Sequence, residues 1–106
     1  MEIVENEDYN LVSIEKFTYD KLESIVPKID NNHILLQLSD DIDDIENKIN
    51  FFLETASTLK AKKKSFVLIK RGIKIENFPE NLNIAPTLQE AKDILEMENI
   101  ERDLGF

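Results

Sequence analysis

The sequence predicts an α/β domain with a single mixed sheet, in which an N-terminal hairpin is followed by parallel strands and helices. Two short apolar runs, Ile34–Leu38 and Phe66–Ile69, are typical of buried strands. Between them, apolar residues recur at helical spacing, at Ile42, Ile45, Ile49, Phe52, Leu53, Ala56 and Leu59. Because a strand–helix–strand connection of this kind joins parallel strands, residues 34–69 are expected to form the centre of the sheet.

The composition fits one folded domain over residues 1–106. The hydrophobic share is 42%, near the globular average, and the longest uninterrupted apolar run, Phe66–Ile69, is four residues, far short of the roughly 20 that span a bilayer. The chain contains no cysteine, which excludes disulfides and thiolate ligands and fits a reducing compartment. The N-terminus lacks the basic and apolar regions of a signal peptide, so we expect a cytoplasmic protein.

The net charge of −9 disfavours nucleic acid and anionic membranes as partners, because phosphate contacts need a local excess of Lys and Arg. Seven of the thirteen basic residues nevertheless lie within residues 60–74, which contain no acid. This stretch is either ordinary charge at a helix end and in a loop, or a docking patch for an acidic partner with Lys62, Lys63 and Lys64 as candidate contacts. RNA binding is less favoured, since Phe66 is the one aromatic residue there and the strand should bury it.

The N-terminal part is predicted to form two strands and a helix. Glu2–Glu5 and Asn10–Ile14 flank a short polar turn, which predicts a β-hairpin. Residues 17–29 carry apolar residues at every third or fourth position, which predicts a helix. Pro27 is expected to end this helix or distort its last turn, because proline lacks the backbone N–H and disfavours helical geometry in the residue before it.

The helix between the two buried strands is predicted to begin within residues 39–44 and to run for about 20 residues. A Ser or Asp there would cap it, and the remaining carboxylates would lie near the positive end of the helix dipole. The lysines of residues 60–64 would lie at the negative end. The acidic helix start supplies a second set of candidate partner-binding residues: Asp40, Asp41, Asp43, Asp44 and Glu46.

A loop and a short strand are predicted next. Gly72 and Pro79 interrupt residues 71–81, which should therefore be irregular. Three apolar residues of this loop are expected to tuck against the core: Ile73, Ile75 and Phe78. A last short strand is predicted at residues 82–85.

A final helix is predicted from Thr87, which forms a capping box with Glu90: the hydroxyl accepts from an N–H group of the first turn, and the carboxylate reaches back. Its apolar face includes Leu88, Ala91, Ile94 and Leu95. Residues 96–106 add four apolar side chains, which could cover the domain's own core or contact a second subunit: Met97, Ile100, Leu104 and Phe106.

The order of elements and two short motifs resemble STAS domains, the family of anti-sigma factor antagonists and of the cytoplasmic tails of sulfate transporters. Residues 34–39, Ile-Leu-Leu-Gln-Leu-Ser, are similar to the family's strand ending in Asp-Leu-Ser. Residues 85–91, Ala-Pro-Thr-Leu-Gln-Glu-Ala, are similar to its closing short strand and Thr/Ser-Leu-x-Glu-Ala helix start. The resemblance covers nearly the whole chain in element order and implies a STAS-like fold that binds a regulatory protein partner.

The motif that STAS switches use is missing. Those domains carry a phosphorylated Ser or Thr followed by Ser/Ala and Gly at the start of the long helix, whereas residues 43–48 here are Asp-Asp-Ile-Glu-Asn-Lys. Gln37 replaces the family's usual Asp, and the loop at residues 72–81 replaces a helix. No residue of this chain therefore corresponds to the phosphorylated Ser or Thr of the STAS switch.

The chain is also similar to small bacterial proteins that are sometimes labelled ribonuclease Z, through its ending Ile-Glu-Arg-Asp-Leu-Gly at residues 100–105. A ribonuclease Z needs a histidine-rich two-metal motif, and a chain with one histidine cannot provide it. We therefore do not expect that chemistry here.

No residue pattern predicts a catalytic, cofactor or metal site. The carboxylates of residues 40–46 could offer oxygen ligands to Mg²⁺ or Ca²⁺, with 40, 43 and 44 on one helix face, but the spacing is not that of an EF-hand loop and the turn glycine is absent. His33 could act as a base, yet no Ser or Cys is an obvious nucleophile partner, so a structural role is favoured. Gly72 and Gly105 are the only glycines, which excludes a glycine-rich phosphate loop.

We therefore expect a non-enzymatic, STAS-like protein-interaction or regulatory module that binds a protein partner or itself, without a phosphorylation switch or cofactor. The acidic start of the long helix is its expected contact surface. The alternative is a small carboxylate-dependent enzyme, or an accessory subunit of one, associated with a nuclease. It would require two carboxylates with separated pKa values in a cleft.

Overall fold

A five-stranded mixed sheet organises the chain, which a computed structural model describes over residues 1–105. Its strands lie side by side in sequence order: β1 (Glu2–Glu5), β2 (Asn10–Ile14), β3 (Ile34–Leu38), β4 (Phe66–Ile69) and β5 (Asn83–Ala85). β1 is antiparallel to β2, and the other three neighbouring pairs are parallel. The predicted fold class, a single mixed sheet with an N-terminal hairpin and parallel strands, is confirmed.

Helices cover both faces of this sheet. α1 (Leu22–Ile25) and α2 (Ile49–Ala61) pack on one face, and α3 (Leu88–Asp103) packs on the other. Phe52 and Leu59 of α2 belong to the larger core cluster, whereas α3 contributes to a smaller cluster with Leu35, Val67, Ile69 and Ala85. Every residue of β4 is at most 3% exposed, because the strand is covered on both sides. This is why β4 is a continuous apolar run rather than an alternating one.

The hairpin turn between β1 and β2 is closed by Asn6. Its backbone N–H donates to Tyr9 O at 3.1 Å. Its side-chain Oδ1 accepts from the N–H groups of Asp8 at 2.8 Å and Tyr9 at 2.9 Å. A short polar side chain of this kind supplies the hydrogen bonds that a tight chain reversal leaves unmade.

The single helix predicted over residues 17–29 is wrong. The segment consists of two 3₁₀ turns, Lys16–Lys21 and Val26–Ile29, on either side of the one-turn helix α1. Pro27 lies at the start of the second 3₁₀ turn, where its missing N–H breaks no α-helical hydrogen bond, so α1 ends before it as expected. The apolar spacing still buries its side chains in the core, at Leu22, Val26 and Ile29.

The long helix is shorter than predicted. α2 begins at Ile49, after a loop and a 3₁₀ turn at Glu46–Lys48, and not within residues 39–44. Ile42 and Ile45 are buried in the core, but they reach it from the loop. Because these two buried loop residues are three positions apart, their apolar spacing in the sequence is the same as that of a helix. The aspartates of the loop therefore precede the helix instead of lying in its first turn, and Glu46 lies in the 3₁₀ turn that leads into it.

α2 ends in a Schellman motif centred on Lys63. The Lys64 N–H donates to Leu59 O at 2.8 Å, and the Lys63 N–H donates to Lys60 O at 2.9 Å. Lys63 has a φ of +62°, a left-handed conformation that usually belongs to glycine because a Cβ atom is strained there.

The connection from β4 to β5 is irregular as predicted, apart from one 3₁₀ turn at Ile75–Asn77. Ile73 and Phe78 pack against the core. Ile75 is 53% exposed, so the prediction that it tucks inward is wrong.

α3 begins at the predicted cap. The Thr87 Oγ1 accepts a hydrogen bond from the Glu90 N–H at 3.2 Å, which is the hydroxyl half of the capping box. Ala91 and Leu95 are buried on the inward face, as the helical spacing predicts.

Replacing Lys63 by glycine is expected to stabilise the fold by about 0.5–1 kcal/mol. Glycine removes the ~1–2 kcal/mol cost of a left-handed residue with a Cβ, and loses part of this gain through the larger entropy of the unfolded chain. Urea unfolding should show a higher midpoint with an unchanged slope. Lys64→Gly is the matched control, because Lys64 has no positive φ, and it should be neutral or destabilising. An unchanged urea midpoint for Lys63→Gly would contradict the claim that the left-handed conformation of Lys63 is strained.

Candidate functional site

The carboxyl ends of the parallel strands gather polar segments at one edge of the sheet, which we call the carboxyl edge. Ser39 and Asp40 follow β3, Lys70 and Arg71 follow β4, and Thr87 follows β5. With the end of β2 they line an open cleft of about 600 Å³. Since ligands of parallel α/β sheets commonly bind outside the carboxyl ends of the strands, this edge is a natural location for a functional surface.

An ion pair between Asp40 and Arg71 joins the ends of β3 and β4. The Arg71 Nε donates to Asp40 Oδ1 at 3.3 Å, and Nη2 donates to Oδ2. Lys70 Nζ donates to the Asp40 carbonyl oxygen at 3.2 Å. The hydrogen bonds from Arg71 lower the pKa of Asp40, so this carboxyl is ionised at neutral pH. Because both side chains are exposed, the pair positions the chain here more than it stabilises the fold.

The acidic loop, residues 40–46, is anchored from within. Ile42 and Ile45 belong to the larger core cluster, and the Ile42 N–H donates to Ser39 O at 3.2 Å. All five acidic candidates of this loop are exposed: Asp40, Asp41, Asp43, Asp44 and Glu46. The two buried isoleucines therefore hold five carboxylates at the surface.

The segment Lys16–Lys21 packs beside the acidic loop. Tyr19 is buried, and the Nζ atom of Lys48 lies 5.1 Å from the centroid of its ring. Lys48 also pairs with Glu23 at 2.6 Å. Burial, together with the nearby charge of Asp44, raises the pKa of Tyr19. Within residues 1–105 its hydroxyl is the buried side-chain polar atom without a hydrogen-bond partner. Lys48, two residues after the acidic loop, thus connects the end of that loop to this segment.

Phe17 is the most exposed large apolar side chain among residues 1–105, at 79%. It lies three residues after the end of β2, at the carboxyl edge. Aromatic side chains of this kind are typical anchors of protein interfaces. The sequence pattern does not single out Phe17, because nothing local distinguishes an exposed phenylalanine from one in the core.

The three candidate lysines, residues 62–64, lie at the opposite edge of the sheet, the amino edge, where α2 ends and β4 begins. Lys62 pairs there with Asp30 at 2.9 Å. The basic stretch of residues 60–74 is divided by β4, because Arg71 emerges at the carboxyl edge. The structure therefore brings the acidic candidates together but separates them from the basic ones.

A partly buried polar network lies at the amino edge, and the sequence pattern does not predict it. Ser65 is 2% exposed, and its hydroxyl donates to Glu98 Oε1 at 2.6 Å and accepts from Arg102 Nη2 at 3.0 Å. Asn83 Nδ2 donates to Glu98 Oε2 at 2.8 Å. The Ser65 N–H donates to His33 Nδ1 at 2.9 Å. These bonds tie the C-terminal half of α3 to the starts of β4 and β5.

The hydrogen bonds of this network are better suited to stabilising the fold than to catalysis. The Ser65 hydroxyl is buried and already acts both as donor and as acceptor, so it offers no free nucleophile. Burial, with the charges of Arg102 and Lys64 nearby, lowers the pKa of His33 to about 4. An imidazole with that pKa stays neutral and is a weak base at neutral pH.

The carboxylates lining the cleft are ionised rather than poised for proton transfer. Glu15 accepts from the amino group of Met1, and Asp40 accepts from Arg71, and these hydrogen bonds lower the pKa of both carboxyls. Acid–base catalysis by a carboxylate pair needs one pKa raised and the other kept low. Among residues 1–105, no group of three His, Cys, Asp or Glu side chains is arranged to hold a metal ion.

No protein-family model, curated protein or solved structure matches this chain in comparisons with known proteins. Over the described residues, 1–105, none of the helices combines the length and the apolar character needed to cross a membrane.

Acidification from pH 7 to pH 5 is expected to destabilise the protein through His33. The pKa of His33 is about 4 in the folded state, against 6.5 for the free side chain, so the unfolded chain binds the proton first. The contribution of His33 to stability is therefore complete above pH 6.5 and is lost as the pH falls toward 4. Allowing for solvent screening, urea unfolding should show a loss of about 1–2 kcal/mol by pH 5.

His33→Asn is the matched variant for this measurement. The asparagine Oδ1 can accept the Ser65 N–H in place of Nδ1, but it does not titrate, so stability should be nearly constant between pH 7 and pH 5. The lowered pKa of Asp40 keeps that carboxyl ionised throughout this range. An equal loss of stability in the variant would assign the effect to another group.

Proposed function

We propose that this protein is a non-enzymatic, STAS-like interaction module whose carboxyl edge binds a protein partner. The observation that carries the proposal is the acidic loop: buried Ile42 and Ile45 hold its carboxylates outward, and the exposed Phe17 follows β2 at the same edge of the sheet. An apolar aromatic anchor with a charged rim is the usual composition of a protein interface. The partner is expected to present basic side chains around an apolar pocket.

The resemblance to STAS domains supports the same surface. STAS domains meet their partners at the start of the long helix, and residues 40–48 occupy that place between β3 and α2. These residues contain no hydroxyl side chain, so we propose that binding does not depend on phosphorylation there. Because the chain contains no cysteine, we further propose that it acts in a reducing compartment, the cytoplasm.

A carboxylate-dependent enzyme, or an accessory subunit of one, is the weaker candidate. Hydrogen bonds lower the pKa of both Glu15 and Asp40, which leaves the cleft without a carboxylic acid that could donate a proton at neutral pH. The other carboxylates of the acidic loop face open surface. These features favour electrostatic recognition over acid–base chemistry.

Reversing the charge of the acidic loop is expected to weaken partner binding by at least about tenfold, which corresponds to about 1.4 kcal/mol. Wild type and Asp43→Lys/Asp44→Lys would be compared in quantitative pull-downs from the native lysate, and then by titration with the captured partner. Phe17→Ala should have a comparable effect, because it removes the apolar anchor and leaves the charges intact.

Glu5→Lys/Glu7→Lys is the matched control. It makes the same change in net charge at two exposed positions of the hairpin, away from the carboxyl edge, and it should bind the partner normally. Both double variants should keep wild-type stability within about 0.5 kcal/mol, since all four acids are exposed. Equal affinity for the two double variants would remove the carboxyl edge from the proposal.

A further inference from the structure

The outward face of α3 carries a second amphipathic surface. Two of its large apolar side chains, Met97 and Ile100, are 63% and 53% exposed, and Leu104, which caps the end of the helix, is 67% exposed. Their spacing of three and four residues places them in one row along the helix, which we call the outer stripe. The inward face of α3 uses Ala91 and Leu95, so the outer stripe is not part of the domain's own core. Phe106, the fourth apolar residue of this segment, lies outside the described residues.

Carboxylates flank the outer stripe. Both basic residues of α3 are engaged elsewhere: Lys92 lies with Nζ 5.8 Å from the Tyr9 ring centroid, and Arg102 donates to Ser65 and Asn99. Five acidic side chains of the helix are exposed instead, at Glu90, Asp93, Glu96, Glu101 and Asp103. At 3.6 residues per turn, these five positions share the side of the helix that carries the stripe. The outer face is therefore an apolar row with acidic flanks.

The part of α3 that carries the stripe is held in place. Glu98 and Arg102 lie in the same helical turns and are bonded through Ser65 to the start of β4. A surface fixed in this way loses little conformational entropy when a partner binds.

We propose that the outer stripe docks a basic amphipathic helix of a partner protein. Apolar side chains recurring at three and four residues in that helix would pack on Met97, Ile100 and Leu104, and its lysines or arginines would face the flanking carboxylates. A second copy of this chain is a poorer occupant, because a two-fold contact through this face would set like charges against each other. The stripe lies toward the amino edge, so this contact is independent of binding at the carboxyl edge.

The proposal can be tested with a designed peptide of about 15 residues, made of leucine and lysine with the leucines at helical spacing. Titration of the labelled peptide with the full chain, followed by fluorescence anisotropy, should give saturable binding that weakens as salt is added. Ile100→Glu should lower the affinity at least about tenfold, because it places a charge in the centre of the stripe. A peptide of the same composition with scrambled spacing should bind more weakly than the amphipathic one.

Ile75→Glu is the matched control, since Ile75 is the same residue type with the same exposure, 53%, outside α3. It should bind the peptide like the wild type. Equal affinity for the Ile100→Glu and Ile75→Glu variants would overturn the proposal, because attraction would then depend on net charge alone. A concentration-dependent dimer in sedimentation that Ile100→Glu abolishes would also overturn it, by assigning the stripe to a second copy.

Discussion

The burial of β4 on both of its faces is the constraint on which the rest of the structure depends. A parallel strand of four apolar residues must be covered from above and below, and one layer of helices can cover only one side. α2 supplies the first cover as the crossover between β3 and β4. α3 supplies the second, and it can do so only because the chain leaves β5 toward the opposite face of the sheet.

The two edges of the sheet consequently differ in character. At the amino edge, polar groups are paired with one another. The Lys64 N–H donates to Leu59 O at the end of α2, and the Ser65 hydroxyl joins the start of β4 to α3. At the carboxyl edge, the acidic loop and Phe17 have their charged and aromatic groups turned to solvent. The polar groups at the amino edge therefore join strands to helices, whereas most charged groups of the acidic loop face solvent.

The sheet could be predicted from the sequence because apolar runs as short as residues 34–38 and 66–69 have few alternatives to a buried strand. The start of α2 could not be predicted, because Ile42 and Ile45 reach the core from a loop but have the spacing of residues on one face of a helix. The prediction of one helix over residues 17–29 was wrong for a related reason. A 3₁₀ turn and an α-helix differ in their hydrogen bonding more than in the apolar pattern of their sequences.

Among the candidate surfaces, some could be predicted from the sequence and others could not. The acidic residues could be grouped in advance because they are neighbours along the chain. The bonds of Ser65 to Glu98 and Arg102 join residues 33 and 37 positions apart, and no local pattern indicates them. The exposure of Phe17 likewise depends on how neighbouring elements pack.

In the acidic loop, the residues that maintain its shape differ from those that face solvent. Ile42 and Ile45 contribute to folding through apolar burial, which is indifferent to the identity of the side chains between them. Substitutions at residues 41, 43, 44 and 46 can therefore alter the charge and shape of the surface without repacking the core. The chemistry of this surface can thus change by point mutation alone, while the packing that holds the loop in place stays the same.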